Sequence, residues 1–402
     1  MNDLRGHAAG DKLLVSIAQR LRPLLQDDRF VLSRFSGGTF ALLAEYRAED
    51  CPDCAWTCAE RVRGAMREPF QSGLDAPVAI TVSIGWTDLV PGHGSAESVL
   101  KEAELAMYGA KSAGRDQACH FEPAMQVELA NHEALLQDLR RAIEDQTLEL
   151  HLQAQADRRG EVVGAEALLR WTRPGGEQVP PDVFIPIAEE NGMILPLGDW
   201  ALRRACAHLV GWAARPCMRD LCLAVNVSAR QFAQAGFVDS VREALSITGA
   251  DAARLKLEIT ESAVLVDLNE AAAKLAQLRA MGVRVSLDDF GTGYSSLAYL
   301  TRLPLDQLKI DRSFVDRLPE DTNDAMVAQT IIGMGRGLGL EVIAEGVETD
   351  AQRNFLMAQG CDAFQGYLIS KPLPHPAFEA MLAARAGWAA AENVEVRQYA
   401  NA

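Results

Sequence analysis

The sequence lacks any uninterrupted apolar run of about 18 residues and any basic-then-apolar leader at its start. We therefore predict no membrane-spanning segment and a cytoplasmic chain. Basic residues are also scarce, since 39 lysines and arginines face 55 acidic residues and the net charge is −16. Such a charge opposes nonspecific binding to nucleic acid or to an anionic bilayer. A phosphate-bearing ligand would have to be bound locally, by metal ions or by individual cationic side chains.

Cysteines are few and show no disulfide framework. The chain has eight, mostly within apolar segments such as Leu221-Cys222-Leu223, which indicates buried reduced thiols. Cys51, Cys54 and Cys58 form the one cluster, but no second pair follows at a zinc-site spacing, so we interpret them as incidental thiols. None of the seven histidines has a metal-ligand spacing either.

The length of 402 residues and the hydrophobic fraction of 49% predict more than one globular domain. Residues 1–122 alternate helical and strand-like patterns, which predicts a small α/β domain. Residues 123–132 are predicted as a helical linker, 133–388 as the second domain and 389–402 as a tail. The predicted elements of the first domain are the helices Asp11–Leu25, Ala55–Met66 and Ala96–Lys111 and the strands Arg29–Arg34, Phe40–Ala44 and Val78–Ile84.

The second domain alternates short β-branched runs with longer helical patterns, which predicts a parallel sheet or barrel. The strand-like segments include Val162–Leu169, Leu221–Val227, Leu255–Ile259, Val283–Leu287, Gln307–Ile310, Glu341–Ala344 and Phe364–Ile369. In a (β/α)8 barrel the C-terminal ends of the strands meet at one mouth, where catalysis occurs in this fold. The residues predicted at that mouth are Glu166, Asn226, Glu258, Asp288, Asp289, Lys309 and Glu345.

Carboxylates gathered in one cavity repel each other unless cations lie between them. Oxygen ligands without histidine or cysteine favour Mg²⁺ or Mn²⁺ over zinc. The adjacent Asp288 and Asp289 could bridge a pair of ions, as in enzymes that hydrolyse phosphodiesters. A lone Asp-Asp pair is more often a solvated turn, but acids recurring at successive strand ends favour a metal site, because stability alone favours apolar residues there.

From about residue 132 to 385 the second domain resembles an EAL phosphodiesterase domain. The motifs that carry the resemblance are Glu166-Ala167-Leu168-Leu169-Arg170-Trp171, Asn226-Val227-Ser228, Glu258-Ile259-Thr260-Glu261, Asp288-Asp289-Phe290-Gly291-Thr292-Gly293-Tyr294-Ser295-Ser296-Leu297, Lys309-Ile310-Asp311, Ala344-Glu345-Gly346-Val347-Glu348 and Gln365-Gly366-Tyr367. The resemblance implies hydrolysis of cyclic di-GMP to linear pGpG with two Mg²⁺ or Mn²⁺ ions per barrel, and a homodimer formed by two barrels. The alternative is a non-catalytic cyclic di-GMP receptor that signals to a partner protein.

The same resemblance implies roles for individual residues. It makes Glu166, Asn226, Glu258 and Asp288 ligands of one ion, with Asp289 serving the second. It makes Glu345 the residue that holds or deprotonates the attacking water, with Lys309 beside the water and the scissile phosphate. Gln365 would complete the site by hydrogen bonding, and Glu261 would pin the loop Asp288–Leu297. Arg170 would grip a substrate phosphate, and Gln153 and Asp311 would contact substrate.

The first domain resembles a GGDEF diguanylate cyclase domain, through Asn2-Asp3, Gly6-His7, Gly10-Asp11, Thr81-Val82-Ser83-Ile84-Gly85 and Ala110-Lys111-Ser112-Ala113-Gly114-Arg115-Asp116. Its signature hairpin reads Ser36-Gly37-Gly38-Thr39-Phe40, without either acid, and residue 1 falls after the segment that supplies the family's other metal-binding aspartate. We therefore expect no cyclase activity from this truncated domain. The remnant Asn2, Asp11, Lys111 and Arg115 could still bind GTP as a regulator.

Overall fold

The computed structural model describes residues 7–25, 29–46, 54–70, 77–90, 92–291 and 297–385. The chain divides into two compact units, residues 1–134 and 135–402. No helix among the described residues is long and apolar enough to cross a bilayer. The cluster residue Cys51, the GTP-remnant residue Asn2 and the predicted tail lie outside the described residues.

The first unit is the small α/β unit that its alternating pattern predicts. Strands β1 and β2 form an antiparallel hairpin whose turn contains Gly37 at φ +46°, and β3 and β4 pair in parallel. The leucine and isoleucine side chains Leu13, Ile17 and Leu21 recur every fourth residue along α1 and pack in the core of this unit. Its elements are α1 (His7–Leu21), β1 (Phe30–Ser36), β2 (Thr39–Ala44), α2 (Cys54–Met66), β3 (Ile84–Trp86), α3 (Ala96–Ser112) and β4 (Ala118–His120).

The predicted helices Ala55–Met66 and Ala96–Lys111 are confirmed as α2 and α3. The predicted strand Val78–Ile84 is wrong over most of its length. Val78 forms only an isolated bridge with Phe70, residues 79–83 are unpaired with any described strand, and the paired segment begins at Ile84 as β3. A β-branched run becomes a ladder only where a neighbouring strand satisfies its backbone groups, and no local pattern identifies that neighbour.

The second unit begins within α4 (Pro123–Glu144), since this helix contains residues 123–132 and the point of division between the units. Its further elements are β5 (Glu149–Asp157), β6 (Val162–Thr172), β7 (Gln178–Val179), α5 (Pro181–Glu190), α6 (Ile194–Ala213), β8 (Cys222–Val227), α7 (Ala229–Phe232), α8 (Phe237–Thr248), β9 (Leu255–Thr260), α9 (Glu261–Leu265), α10 (Leu268–Ala280), β10 (Arg284–Phe290), α11 (Leu297–Leu300), β11 (Gln307–Ile310), α12 (Thr322–Leu338), β12 (Glu341–Ala344), α13 (Asp350–Gln359), β13 (Ala363–Gln365) and β14 (Leu373–Pro374). Residues 375–385 are helical.

Within the described part of the chain, eight of these strands close into a barrel, which confirms the predicted fold class. The order is β5-β6-β8-β9-β10-β11-β12-β13, and β13 pairs again with β5. Alternate side chains of the parallel strands point outward and are apolar: Leu223, Leu257, Val285, Leu308 and Val342 are fully buried against the surrounding layer. The side chains between them point into the barrel, where the polar residues of the site lie.

Strand β5 departs from the all-parallel arrangement that the pattern predicts, since it runs antiparallel to β6 and β13. Only residues 158–161 connect β5 to β6, a link too short for the crossover that parallel neighbours require. The predicted strand Phe364–Ile369 is also shorter than expected, because β13 ends at Gln365. At Gly366 a Cβ would lie 2.1 Å from the carbonyl oxygen of Val347, so the chain turns there at a position open only to glycine.

Candidate active site

The acidic residues predicted from strand ends do meet at one end of the barrel. Glu258, Asp288 and Glu345 stand within two residues of a strand's carboxyl end. Glu166 is in the middle of β6, but the parallel pairing of β6 with β8 ends one residue later, at Ala167. Their side chains follow the inward-facing phase of the strands and so share one space. We call the four carboxylates of Glu166, Glu258, Asp288 and Glu345, together with Lys309, the acidic cluster. Glu166 is in β6, Glu258 in β9, Asp288 in β10, Lys309 in β11, and Glu345 directly follows β12.

The ammonium of Lys309 lies among these carboxylates, with only 1% of the residue exposed. Its Nζ is 2.5 Å from Glu258 Oε2, 2.5 Å from Glu345 Oε1, 3.2 Å from Asp288 Oδ1 and 3.9 Å from Glu166 Oε2. One cation therefore faces four acids. This excess of negative charge is the main electrostatic property of the site.

Two amides hold the carboxylate of Glu166. The Nδ2 of Asn226 donates to Glu166 Oε1 at 2.5 Å, and the Nε2 of Gln365 donates to Glu166 Oε2 at 2.5 Å. The Gln365 amide also donates to Gln153 Oε1 at 3.2 Å. Asn226 was predicted as a metal ligand, Gln365 as a group that completes the site and Gln153 as a substrate contact. Hydrogen bonds join all three in one network around Glu166.

The pKa values in the cluster diverge. Burial alone would lower the pKa of Lys309, but the charges of Asp288, Glu166, Glu258 and Glu345 hold that pKa well above its usual value. Burial opposes ionisation of Glu166, yet Lys309 and the amide hydrogen bonds bring its pKa below the usual range. Burial raises the pKa of Glu258 well above normal, and it raises the pKa of Glu345 to about 8, in each case against the attraction of Lys309.

The acidic cluster fits a divalent cation. Glu166, Glu258 and Glu345 each offer a carboxylate oxygen, and these oxygens lie within 4.8 Å of one another. The second oxygen of Glu258, Oε1, is buried without a hydrogen-bond partner among the described residues, which leaves an acceptor that a cation would satisfy. Because all of the donors are oxygens, the chemistry suits Mg²⁺ or Mn²⁺ better than a soft metal.

Asp289 adds a further carboxylate beside this cluster. Its backbone has φ +56°, a left-handed conformation that is uncommon outside glycine, and its N–H donates to Asp288 Oδ1 at 3.0 Å. Burial raises the pKa of Asp289, and the nearby charges of Asp288 and Asp311 add to that rise. The carboxylate of Asp311 itself accepts from the backbone N–H of Ser313 at 3.0 Å and caps the short turn that follows β11.

Glu261, predicted among the catalytic residues, contacts the ends of the loop after β10. Its buried carboxylate accepts from the Tyr299 hydroxyl at 2.5 Å and from the Gly291 N–H at 3.4 Å. Residues 292–296 of that loop lie outside the described part of the chain. Tyr299 was not predicted. No sequence signal identified it, because it stands 38 residues from Glu261.

A cavity of about 290 Å³ opens beside the cluster. Its lining includes the predicted residues Gln153, Glu166, Arg170, Glu345 and Gln365. Burial lowers the pKa of Arg170, against the opposing influence of Tyr367 and Glu166. Arg312, Glu348 and Tyr367 also line the cavity and were not predicted, although each stands within or next to a quoted motif.

Three residues of the predicted GTP remnant lie on or beside helices of the first unit. Asp11 lies on α1, Lys111 in the last turn of α3, and Arg115 just beyond that helix at φ +61°. No hydrogen bond or ion pair joins these three side chains to one another in the described part of the chain. At the hairpin, Arg34 donates to the carbonyl of Gly37 at 3.0 and 3.1 Å.

Comparison with known families and proteins gives matches for both units. The EAL domain family matches residues 136–372, and the family described as diguanylate cyclase, GGDEF domain, matches residues 1–117. MucR of Pseudomonas aeruginosa, a bifunctional diguanylate cyclase/cyclic di-GMP phosphodiesterase, is 43% identical over 376 residues, covering 93% of this chain and 54% of MucR.

Another curated protein of Pseudomonas aeruginosa, the cyclic di-GMP phosphodiesterase NbdA, is 43% identical over 394 residues, covering 96% of this chain and 48% of NbdA. The chain thus spans about half the length of these curated relatives. Among solved structures, that of the PaMucR phosphodiesterase in complex with c-di-GMP is similar, with a TM-score of 0.59 and 46% identity. The match covers 61% of this chain and 99% of the chain in the solved structure.

Proposed function

Because this chain belongs to the EAL domain family and carries a GGDEF-family domain before the barrel, we propose that it hydrolyses one phosphodiester bond of cyclic di-GMP and releases linear pGpG. The observation that carries the proposal is the buried acidic cluster, in which four carboxylates face one lysine. One carboxylate oxygen there has no hydrogen-bond partner in the part of the chain that the structure describes. Such a cluster binds divalent cations in preference to remaining bare. The names of the relatives support the choice of substrate.

Two Mg²⁺ or Mn²⁺ ions belong to the proposal. Glu166, Asn226, Glu258 and Asp288 would hold one ion, and Asp289 would serve the other. When bound, such ions supply positive charge at the phosphate and lower the pKa of water. Of these residues, Glu166 has both oxygens already oriented by amide donors, so its ligand geometry is set before a cation arrives.

The other side chains act on water and substrate. Glu345 holds the attacking water and accepts its proton, since its carboxylate lines the cavity where substrate would lie. Lys309 stabilises the negative charge that develops on the phosphate, because its ammonium is fixed by the surrounding acids before the reaction starts. Arg170 lines the cavity, where its planar guanidinium suits a phosphate.

Incubating the purified chain with cyclic di-GMP and Mg²⁺ or Mn²⁺ tests the proposal. We expect chromatography to show pGpG, and we expect no product with EDTA or with Glu166→Ala. That substitution removes a carboxylate that no other group replaces. Tight binding of cyclic di-GMP without turnover under every metal condition would instead favour the receptor alternative.

We also propose that the first unit makes no cyclic di-GMP. A cyclase needs carboxylates to hold metal against the phosphates of GTP, and the β1–β2 turn offers Gly38 and Thr39 in place of two acids. GTP and Mg²⁺ should therefore give no cyclic di-GMP in an assay of Glu166→Ala, where the barrel would not degrade a product. Accumulation of cyclic di-GMP in that assay would contradict the expectation.

Two implications of the family resemblance stay predictions. The first is a homodimer through the barrel, which sedimentation velocity of the whole chain would detect. The second is GTP binding by the first unit without turnover, which equilibrium dialysis with GTP would detect.

A further inference from the structure

A layer of polar side chains lies inside the barrel, one step deeper than the acidic cluster. We call Gln155, Lys256, Ser286 and Gln307 the lower polar layer; each is at most 3% exposed. Lys256, Ser286 and Gln307 stand two residues before Glu258, Asp288 and Lys309 on their strands, so they point inward like those residues. Barrel interiors are ordinarily filled by branched apolar side chains. Polar groups there are costly unless every one is hydrogen-bonded.

The lower polar layer is joined to the acidic cluster by a continuous chain of hydrogen bonds. The Nζ of Lys256 donates to Gln155 Oε1 at 3.0 Å, and Gln155 Nε2 donates to Gln365 Oε1 at 2.8 Å. Gln365 Nε2 then donates to Glu166 Oε2 at 2.5 Å. Every bond of this chain donates in the same direction, from the ammonium towards the carboxylate.

The two ends of the chain fix the orientation of the amides between them. An ammonium can only donate and an ionised carboxylate can only accept, so Gln155 must turn its oxygen to Lys256 and its nitrogen to Gln365. Gln365 must then turn its nitrogen to Glu166. A reversed Gln365 amide would place its carbonyl oxygen against the Glu166 carboxylate, with no proton between two acceptors.

The ammonium of Lys256 also has hydrogen-bond partners on the side away from Gln155. Its Nζ also donates to Gln307 Oε1 at 2.8 Å, and Gln307 Nε2 donates to Glu341 Oε2 at 3.1 Å. Ser286 Oγ donates to the same Gln307 oxygen at 3.1 Å. Burial lowers the pKa of Lys256, and the charges of Glu258 and Glu341 oppose that change. A carboxylate also stands at the end of each amide path from Lys256, at Glu166 and at Glu341.

Building on the proposed function, we propose that Gln155 and Lys256 are positioning residues of the metal site. They hold the Gln365 amide in the one orientation that donates to Glu166, and so keep that carboxylate aligned for a divalent cation. Neither residue is proposed to contact metal or substrate. Partners that orient metal ligands in this way typically change metal affinity by about 10–100-fold when they are replaced.

The substitution Gln155→Glu tests orientation separately from packing. An ionised glutamate still pairs with Lys256 but offers only acceptors to Gln365, which must turn and present its carbonyl to Glu166. We expect the full chain to bind Mn²⁺ about 10–100-fold more weakly, in a titration with Mn²⁺ alone followed by electron paramagnetic resonance of the free ion. The unfolding temperature in EDTA should fall, because the reversed Gln365 amide loses its hydrogen bond to Glu166. A cooperative unfolding transition would show that the variant folds.

Ser286→Ala is the matched control. It removes a buried hydrogen bond of the same layer but leaves the chain from Lys256 to Glu166 intact, so we expect unchanged Mn²⁺ affinity. If Gln155→Glu does not fold, Gln155→Met carries the test, since it removes both amide bonds at similar volume and should also weaken Mn²⁺ binding. A folded Gln155→Glu or Gln155→Met protein with wild-type Mn²⁺ affinity overturns the inference, as does a wild-type chain that binds no Mn²⁺.

Failure of the proposed function would give a different result. A wild-type chain that binds Mn²⁺ but leaves cyclic di-GMP intact contradicts the proposed hydrolysis. The Mn²⁺ titrations of the Gln155 variants would still decide whether the lower polar layer positions Glu166.

Discussion

Replacement of Lys309 by methionine is expected to reduce hydrolysis of cyclic di-GMP by about 10²–10³-fold. In EDTA it is also expected to lower the free energy of unfolding by about 3–5 kcal/mol, the usual effect of breaking a buried charge pair. The reason is the position of the ammonium, 2.5 Å from both Glu258 and Glu345 in a site almost closed to solvent. Without it, no cation of the chain lies among the four carboxylates in the described site.

The effect of Mn²⁺ on the unfolding temperature should distinguish Lys309→Met from a substitution that only disturbs packing. A divalent ion would supply part of the positive charge that Lys309→Met lacks, so Mn²⁺ should raise the unfolding temperature of the variant more than that of the wild type. The measurement is thermal unfolding by circular dichroism in EDTA and in Mn²⁺, beside a rate assay.

Lys274→Met is the control for burial of a lysine. Lys274 is also buried, but its Nζ bonds the Phe232 carbonyl at 2.6 Å and pairs with Glu270 at 2.8 Å on α10. Lys274→Met should have a lower unfolding temperature than the wild type, and Mn²⁺ should raise that temperature no more than it does for the wild type. Its turnover should be unchanged. A Lys309→Met protein with wild-type turnover would show that the ammonium is not needed for hydrolysis.

Glu345→Gln is expected to reduce kcat by about 10²–10⁴-fold while binding of cyclic di-GMP persists. The two side chains have nearly the same shape, but an amide cannot take a proton from water. Glu345 stands at the cavity, bonded to Lys309 through Oε1, with its pKa raised to about 8 mainly by burial. Single-turnover hydrolysis and calorimetric binding in Ca²⁺ would separate the loss of chemistry from a loss of affinity.

Glu379→Gln serves as the control for this substitution. Glu379 is a partly buried acid that pairs with Arg215 at 2.6 Å in the helical segment 375–385, and the change should leave kcat as it is. If Glu345→Gln hydrolysed cyclic di-GMP at the wild-type rate, another group would have to activate the water.

Much of the acidic cluster could be predicted without coordinates. Glu166 and Glu258 each stand within a strand-like segment and Asp288 directly follows one, and in a parallel barrel the C-terminal ends of the strands converge on one mouth. Local pattern and the topology of the fold are sufficient for that inference. Lys309 and Glu345 follow from the same reasoning, and the structure places all five together.

The lower polar layer was not predicted, although its residues stand two positions from the acids. In the sequence, Lys256 and Gln307 resemble the polar residues of a solvated strand face, and Gln155 lies on a strand whose direction the pattern did not indicate. Their burial depends on barrel closure through β5. The partners of their hydrogen bonds are 21 to 210 residues away along the chain.

Three features follow from the amino-acid sequence alone: the alternation of strands and helices, the carboxylates of the strand-like segments and the loss of both acids at the β1–β2 hairpin. These properties depend on side-chain type and short-range spacing, which are local. The antiparallel course of β5, the contacts of Lys309 with four carboxylates and the donor direction from Lys256 to Glu166 are known only from the three-dimensional fold. Those features arise from contacts across the barrel. Burial removes water there, so a hydrogen bond in the wrong orientation makes the folded state less stable.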